Sequence, residues 1–146
     1  MDHAIREFRQ ADLPEVMASW ENAFRSAHPF LTRAFLEKER HNIPHLYLPT
    51  VETWVAEWNG RVIGFISLLG HEVRGLFVEP VFQGMGMGRA LMDKAQELYG
   101  ELEVEVFEGN TIGRRFYSRY GFEPLSECVH KETGSKMLRL QLKVNR

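Results

Sequence analysis

Three glycines in the middle of the chain have a spacing that suits the binding of an anion. Gly84, Gly86 and Gly88 follow a predicted strand and directly precede a predicted helix. Glycine lets the backbone come close to a ligand, and the first turn of a helix carries N–H groups without a partner inside the helix. These groups and the helix dipole favour a negative charge. The segment therefore predicts a cradle for a pyrophosphate, and the alternative is a flexible surface loop.

Arg89 distinguishes this segment from a dinucleotide-binding fingerprint. Counted from Gly84, the sixth position of that fingerprint is a glycine, and here it is Arg89. A Walker loop is excluded as well, because the sequence contains no Gly-Lys followed by Ser or Thr. Arg89 itself has two interpretations, a contact to the bound phosphate or a solvated side chain.

The apolar pattern predicts an α+β fold in which helices pack on one mixed sheet. Asn59 and Gly60 separate two alternating runs, as in a tight hairpin turn. Asp12 and Thr32 are the predicted N-caps of the first two helices. The predicted strands cover residues 4–9, 54–58, 62–69, 72–79, 102–107, 122–130 and 137–144. The predicted helices cover residues 13–27, 33–41, 90–99 and 110–120, and residues 43–50 are a predicted loop.

Length and composition indicate one soluble domain over residues 1–146. Hydrophobic residues are 44% and charged residues 26%, which excludes a disordered chain. A net charge of −2 gives no basic surface for nucleic acid. The sequence has no apolar run long enough to span a membrane and no apolar stretch typical of a signal peptide at its start. We therefore expect a cytoplasmic protein without nucleic-acid or membrane partners, either monomeric or homodimeric.

The histidine and cysteine residues predict no metal site. His41 and His45 have the spacing of neighbours on a helix, but Pro44 lies between them and opposes a regular helix. Cys128 is the only cysteine, which excludes a disulfide framework. It lies near His130 in a late strand without an oxyanion loop, so we expect a small buried residue rather than a nucleophile.

Two blocks of sequence resemble signatures of the GCN5-related N-acetyltransferase (GNAT) family. The first, Gln83-x-x-Gly86-x-Gly88, is similar to that family's Arg/Gln-x-x-Gly-x-Gly/Ala motif. The second resembles the family's later Asn…Ala…Phe-Tyr…Gly-Phe block and reads Asn110-x-x-Gly113-x-x-Phe116-Tyr117-x-x-x-Gly121-Phe122. One departure is Gly113, where the family more often has alanine. The order of elements matches over the whole chain, most densely over residues 54–122.

The resemblance implies a GNAT fold of about seven strands and about four helices, with the sheet splayed between its fourth and fifth strands. Acetyl-CoA would be the cosubstrate, bound in this splay, and no metal would be needed. A bulge in the fourth strand would free backbone groups for the pantetheine amides and the thioester. The implied contacts to acetyl-CoA are the backbone of Leu76, Phe77 and Val78, the loop residues Gln83, Gly84, Met85, Gly86, Met87, Gly88 and Arg89, and Asn110, Phe116 and Tyr117.

Tyr117 and Glu72 are the catalytic residues that the resemblance implies. Tyr117 would protonate the departing thiolate, and its alternative is a packing role. Glu72 matches the glutamate that acts as general base in the histone-acetyltransferase branch of the family. His71, Glu105 and water remain alternatives for the base. Asn110 has two nearly equal interpretations, a contact to the cofactor and a helix N-cap.

The expected function is transfer of an acetyl group to a primary amine by direct attack in a ternary complex. The acceptor can be a protein lysine, a protein N-terminus or a small amine, and the acyl chain length is open. The segment 27–31, which contains His28-Pro29-Phe30, is similar to small bacterial members of the protein-lysine acetyltransferase type. Its alternative is a helix-breaking loop with a buried Phe30. A non-catalytic acyl-CoA-binding module is the alternative function.

Overall fold

A computed structural model of the chain describes residues 3–143. Within these residues the chain forms a seven-stranded mixed sheet and four α-helices, which confirms the predicted α+β class. The strands are β1 (His3–Glu7), β2 (Glu52–Trp58), β3 (Arg61–Leu69), β4 (Glu72–Val78), β5 (Leu102–Phe107), β6 (Glu123–Val129) and β7 (Lys136–Leu142). The helices are α1 (Leu13–Ala27), α2 (Arg33–Asn42), α3 (Met87–Tyr99) and α4 (Thr111–Tyr120). In this range no helix combines the length and the apolar character needed to cross a membrane. Val144, the predicted end of the last strand, lies outside the described residues.

The sheet opens between β4 and β5, as predicted. The strand order is β1-β2-β3-β4-β5-β7-β6, and β4 runs parallel to β5. The two strands are paired at only two positions, Glu72 with Glu103 and Val73 with Val104. By contrast, β5 and β7 remain paired along the whole of β5. The later residues of β4 therefore face a gap rather than a neighbouring strand.

A bulge in β4 marks the point where the strand leaves β5. Ser67 of β3 is opposite Gly75, whereas the next residue, Leu68, is opposite Val73. Arg74 is the extra residue, and such an insertion bends and twists the strand that carries it. The bulge predicted for β4 is therefore present. It lies directly before the part of β4 that is not paired with β5.

Helices cover both faces of the sheet. Met87, Leu91 and Met92 of α3 and Tyr117 of α4 pack into one buried cluster, which defines the α3–α4 face. The α1–α2 face carries a second cluster, which contains Val16, Trp20, Phe24, Phe35, Leu36, Ile43, Val55, Val62 and Phe65. Strand β3 is buried from Val62 to Leu68 because it lies between these two layers.

Asp12 is at the N-cap position of α1, as predicted, but its side chain makes no capping bond to the helix. Its two carboxylate oxygens accept hydrogen bonds from the Arg6 guanidinium, each at 2.9 Å, and one also accepts from the Arg9 N–H at 2.8 Å. Because these bonds occupy the carboxylate, it makes no bond to the first turn of α1. Thr32 does cap α2 as predicted, since its hydroxyl accepts from the Phe35 N–H at 3.1 Å.

Residues 43–50 are helical turns rather than the predicted loop. A π-helical turn covers Ile43–Tyr47, and a 3₁₀ turn covers Leu48–Thr50. Pro44 lies near the start of its turn, where the missing N–H leaves no bond unmade. The Leu48 N–H donates to the Ile43 carbonyl and closes the π turn. These turns therefore continue directly from α2, and together they cover the α1–α2 face of the sheet as far as Thr50.

Cys128 is an exposed free thiol, not the buried residue that was predicted. It lies on β6, which is one of the two edge strands of the sheet. All side chains of β6 are exposed.

Candidate active site

The glycine segment before α3 has an open backbone conformation. Gly84 and Gly86 have positive φ angles of 82° and 89°. A Cβ atom at either position would meet no other atom within 4 Å, so the space in front of the loop is free. Gly86 has no side-chain cap to offer α3, and the first helical bond runs from the Ala90 N–H to the Gly86 carbonyl. The N–H groups of residues 87–89 are therefore available to an anion.

The side chains of this segment take different roles from its backbone. Met87 is buried in the core, whereas Met85 is 45% exposed. The Gln83 side-chain amide donates to the Val78 carbonyl at 3.0 Å and ties the loop to the end of β4. The guanidinium of Arg89 lies over the Tyr120 ring, 5.1 Å from its centroid. This contact keeps the guanidinium of Arg89 beside the first turn of α3.

Strand β4 turns the backbone groups of two residues toward the splay. The Glu79 N–H donates to the Ile63 carbonyl at 2.8 Å, which fixes the alternation of hydrogen bonds between β3 and β4. With this alternation, Phe77 bonds to β3, while Leu76 and Val78 direct N–H and C=O groups away from it. The predicted backbone contacts to the cosubstrate thus fit Leu76 and Val78. They do not fit Phe77, whose backbone is used within the sheet.

Tyr117 is buried beside the start of α3. It is 7% exposed and packs edge-on against Phe116 and Phe122, with ring centroids 5.6 and 5.4 Å apart. Burial raises the pKa of Tyr117, and no hydrogen bond or charge contributes to this shift. The phenol therefore keeps its proton at neutral pH. A Cβ on Gly88 would lie 3.1 Å from the Phe116 ring, which shows how closely α3 and α4 approach.

Asn110 is the N-cap of α4, which is one of its two predicted interpretations. Its side-chain oxygen accepts a hydrogen bond from the Gly113 N–H at 2.8 Å. A Cβ on Gly113 would lie 2.6 Å from the Asn110 side chain. Glycine at position 113, the departure from the family pattern, therefore lets this cap close without displacing Asn110. The contact of Asn110 to the cosubstrate stays a prediction.

A cavity of about 430 Å³ lies on the α1–α2 face. Trp20, Phe24, Phe65 and Phe77 supply its aromatic walls. It reaches Gly75, where β4 has just left β5, so it opens toward the splay from the face opposite α3. Its acidic side chains are Glu39, Glu72 and Glu105. The arrangement suits a ligand with an apolar body and a basic end.

Glu72 lines this cavity but is held by two arginines. Arg139 donates to one carboxylate oxygen at 2.7 Å, and Arg74 donates to the other at 2.7 Å. Arg139 also binds Glu103 at 2.8 Å and lies 3.6 Å from Glu105. Burial acts to raise the pKa of Glu72, but the two arginines outweigh it and the net shift is downward. Glu72 is thus a charged member of an ion-pair network that joins β4, β5 and β7.

The other two candidate bases lie in different places. Glu105 is on β5 and lines the same cavity as Glu72. His71 is exposed and lies with Tyr99 at a separate surface depression, outside the large cavity. The structure therefore brings together Glu72 and Glu105, and it does not place His71 with them. The base itself stays a prediction.

Sequence reasoning did not identify Glu39. This residue lies four positions after the buried Phe35 and three after the buried Leu36, so it belongs to the inner face of α2. Its half-buried side chain lines the cavity, and its Oε2 atom has no hydrogen-bond partner among the described residues. The helical spacing was the available signal.

The loop between α1 and α2 buries His28 rather than Phe30, contrary to the packing alternative. Phe30 is 41% exposed, and its ring lies 5.8 Å from that of Phe107. His28 Nδ1 donates to the Phe24 carbonyl at 3.0 Å. Burial lowers the pKa of His28 to about 4, although the bond to Phe24 acts to raise it. A Cβ on Gly109 would lie 2.6 Å from the Phe30 ring, so this loop packs tightly on the segment after β5.

Comparison with known proteins identifies the family. Residues 49–124 match the family model described as the acetyltransferase (GNAT) domain. The chain belongs to this family. It is 30% identical over 129 residues to the peptidyl-lysine N-acetyltransferase YiaC of Escherichia coli, and the match covers 88% of each chain. It is also 31% identical over 121 residues to the peptidyl-lysine N-acetyltransferase YjaB of the same species, over 82% of each chain.

Solved structures of GNAT proteins have the same fold. The solution structure of the apo form of YjaB from Escherichia coli matches with a TM-score of 0.89 and 26% identity, over 99% of this chain and 100% of that one. The PaiA N-acetyltransferase from Thermoplasma acidophilum, in complex with coenzyme A, matches with a TM-score of 0.81 and 18% identity, over 98% and 99% of the two chains.

The protein is therefore an enzyme, an N-acetyltransferase that transfers an acetyl group to an amine. The resemblance seen in the two sequence blocks is confirmed, and the alternative of a non-catalytic binding module has no support. Among the described residues no cluster of three or more histidine, cysteine, aspartate or glutamate side chains is arranged to hold a metal ion.

Proposed function

We propose that the protein acetylates the side-chain amine of a lysine in a protein or peptide, with acetyl-CoA as donor. The observation that carries this proposal is the cavity of about 430 Å³ on the α1–α2 face. Its aromatic walls suit an alkyl chain, and its carboxylates suit the amine at the end of that chain. The names of the two Escherichia coli relatives support the same acceptor.

The open backbone around α3 supports acetyl-CoA as the donor. The free N–H groups at the start of α3 would hold the pyrophosphate, with Gly84 and Gly86 leaving room for its approach. The outward groups of Leu76 and the Val78 N–H would bind the pantetheine amides and the thioester, since the Val78 carbonyl already accepts from Gln83. Arg89, Asn110 and Phe116 are further proposed contacts. Since α3 and the cavity lie on opposite faces, donor and acceptor would meet in the splay.

The proposed reaction is a direct attack. The neutral amine forms a C–N bond to the thioester carbon, the C–S bond breaks, and coenzyme A leaves as a thiolate. The Val78 N–H would stabilise the negative oxygen of the tetrahedral intermediate. Tyr117 would donate its proton to the departing sulfur, and its buried, protonated phenol is suited to this role.

The acceptor must lose a proton before it attacks, because a lysine amine has a pKa near ~10.4. Glu72 is the proposed base, with Glu105, His71 and water as alternatives. To accept the proton, Glu72 has to exchange part of its bonding to Arg139 or Arg74 for the acceptor. The ammonium loses two protons in all: the first goes to the base before the attack, and the second, lost from the nitrogen as the amide forms, balances the one that Tyr117 gives to the sulfur.

Release of free thiol from acetyl-CoA tests the proposed function. Three acceptors are compared: an Nα-acetylated peptide with one lysine, the same peptide with a free N-terminus and no lysine, and a small alkyl diamine. We expect turnover with the first peptide and a far lower kcat/KM with the second. Mass spectrometry should then place one acetyl group on the lysine. Turnover confined to the free N-terminus or to the diamine would contradict the proposed acceptor.

Other expectations also stay proposals. Net charge supports the absence of nucleic-acid partners, and the exposed thiol of Cys128 supports a reducing, cytoplasmic location. We propose that the protein acts as a monomer or homodimer without a metal.

A further inference from the structure

The carboxylate of Glu39 is placed in the cavity without a counter-ion. Its Oε2 atom is shielded from solvent and has no hydrogen-bond partner among the described residues. A buried carboxylate is normally paired or hydrogen-bonded, because removing the charge from water is unfavourable. The side chain lines the cavity together with the aromatic walls described above. Its Oε2 atom thus lacks a hydrogen-bond donor, and a ligand in the cavity that Glu39 lines could bring one.

The neighbours of Glu39 do not supply a partner for its Oε2 atom among the described residues. The Lys38 ammonium is bonded to Glu132 at 2.9 Å and so is already paired. His130 uses Nδ1 to accept from the Thr133 N–H at 3.3 Å. Tyr47, on the π-helical turn, is a side-chain hydrogen-bond partner of Glu39 and so acts to lower its pKa, whereas the Oε2 atom itself has no partner among the described residues.

The other carboxylates of the cavity differ from Glu39 in this respect. Arg139 and Arg74 both bind Glu72, and Arg139 lies beside Glu105. The two arginines nearest to the cavity are therefore used by the network at β4, β5 and β7. Glu39, on the opposite wall, is the carboxylate left for an incoming cation.

We propose that Glu39 binds the ammonium group of the acceptor in this cavity and selects for cationic acceptors. The proposal rests on the proposed function, since a lysine side chain carries such a group at the end of an alkyl chain. An ammonium would supply the missing hydrogen-bond donors, and the aromatic walls would cover the methylene groups. Burial, the largest influence, raises the pKa of Glu39, and a bound cation would favour its charged form.

The test is calorimetric titration of a complex that cannot react. Protein saturated with coenzyme A, which has no acetyl group to transfer, is titrated with an Nα-acetylated peptide that contains one lysine. The same peptide with Nε-acetyl-lysine is the neutral control. We expect Glu39→Gln to weaken binding of the lysine peptide at least about tenfold, the usual size for a charged hydrogen bond. Affinity for the neutral peptide should stay within about twofold of wild type.

Two further variants separate charge from packing. Glu37→Gln removes an exposed carboxylate of the same helix that pairs with Arg40, and it should leave both titrations unchanged. Glu39→Asp keeps the charge on a shorter side chain and should recover part of the lost affinity. Melting temperatures of all variants show that each is folded. Equal affinity of Glu39→Gln and wild type for the lysine peptide would overturn the proposal.

Turnover is measured separately, so that the two proposals can fail separately. Butylammonium carries the alkyl chain and the charge without a peptide, and 1-butanol is its neutral counterpart. If wild type acetylates no lysine acceptor but Glu39→Gln loses its affinity for butylammonium, only the proposed function fails. If lysine turnover is normal and Glu39→Gln and Glu39→Asp both bind butylammonium as wild type does, only the role of Glu39 fails.

The pH dependence gives a second readout. Affinity for the lysine peptide should fall as the pH decreases through the raised pKa of Glu39, because the protonated carboxyl has no charge. Lys38, Tyr47, His130 and Glu132 also face this site, and all four remain in Glu39→Gln. The variant should therefore lack this decrease in affinity at acidic pH. If the affinity of the variant falls at acidic pH as much as that of wild type, the decrease comes from these neighbours, and the proposed role of Glu39 is contradicted.

Discussion

The α3–α4 face and the α1–α2 face of the sheet offer polar groups of different kinds. Beside α3 they are backbone groups, namely the free N–H groups of residues 87–89 and the outward groups of Leu76 and Val78. Under α1 and α2 they are side chains, namely Glu39 and Glu72 among aromatic rings. A backbone site needs only glycines at the right spacing. A side-chain site depends on which distant elements pack around each residue.

The largest expected effect concerns the loop between α1 and α2, where His28 is buried as a neutral ring. Its folded-state pKa of about 4 lies below its ordinary value of 6.5, so its contribution to stability is present above 6.5 and is lost as the pH falls toward 4. The loss can reach roughly 3 kcal/mol, since one pKa unit corresponds to about 1.4 kcal/mol. His28→Gln should lack this part of the acid sensitivity. Denaturant unfolding at several pH values between 7 and 4 measures it.

The control for this prediction is His41→Gln, because His41 is exposed on α2. That variant should keep the acid sensitivity of wild type. If His28→Gln and wild type lose free energy of unfolding in parallel as the pH falls, the buried ring is not responsible, and the α1–α2 loop is not the acid-sensitive part of the molecule.

Elements with strong local signals could be predicted from the sequence. The bounds of α1 and β5 agree with the prediction because periodicity and flanking Pro and Gly residues define them. The glycine loop was also predictable, since positive φ angles at Gly84 and Gly86 require glycine. The N-cap position of Asp12 was predicted correctly, but its capping bond was not, because Arg6 from the preceding strand binds the carboxylate.

The cavity could not be predicted in the same way. Glu39 is sequence-distant from His130, which faces it from the loop after β6, so its surroundings exist only in the folded chain. Glu72 was found by family resemblance, but its bond to Arg139 joins residues 67 positions apart. Cys128 was misjudged because exposure depends on β6 being an edge strand. These are consequences of tertiary packing rather than of local pattern.

The second prediction tests the α3–α4 face through Tyr117. Tyr117→Phe keeps the ring and removes the proposed donor, so kcat should fall roughly 10²-fold, the lower end for general acid catalysis. Acetyl-CoA affinity and melting temperature should change little, because burial alone perturbs this phenol. Tyr120→Phe is the matched control, since its hydroxyl bonds to Asp93 and Gln96 instead. Wild-type kcat in Tyr117→Phe at saturating acceptor would show that water supplies the proton.

The third prediction concerns the backbone cradle. Gly86→Val should place a branched side chain in the open space before α3 and weaken acetyl-CoA binding about tenfold, equivalent to about 1.4 kcal/mol. Gly134→Val is the control, because Gly134 also has a positive φ of 72° and open space around its Cβ position. Both variants carry a backbone strain of roughly 1–2 kcal/mol. Calorimetry should find weakened binding only for position 86, and equal losses at both positions would contradict the cradle.

The smallest expected effect distinguishes the two functions open to Glu72. Because the arginines lower its pKa in the folded state, its stabilising contribution is present above the ordinary pKa of about 4.5 and is lost as the pH falls below it. Glu72→Gln should therefore reduce the free energy of unfolding at pH 7 by about 1 kcal/mol or less, as for a partly exposed ion pair, and the difference should vanish in acid. Glu105→Gln is the matched control, since Glu105 lies farther from Arg139, at 3.6 Å. If Glu72 is also the base, its removal should reduce turnover most at low pH, where the acceptor is an ammonium. A pH–rate profile equal to wild type in shape and height, together with the predicted loss of stability, would leave the ion-pair network as the only role of Glu72.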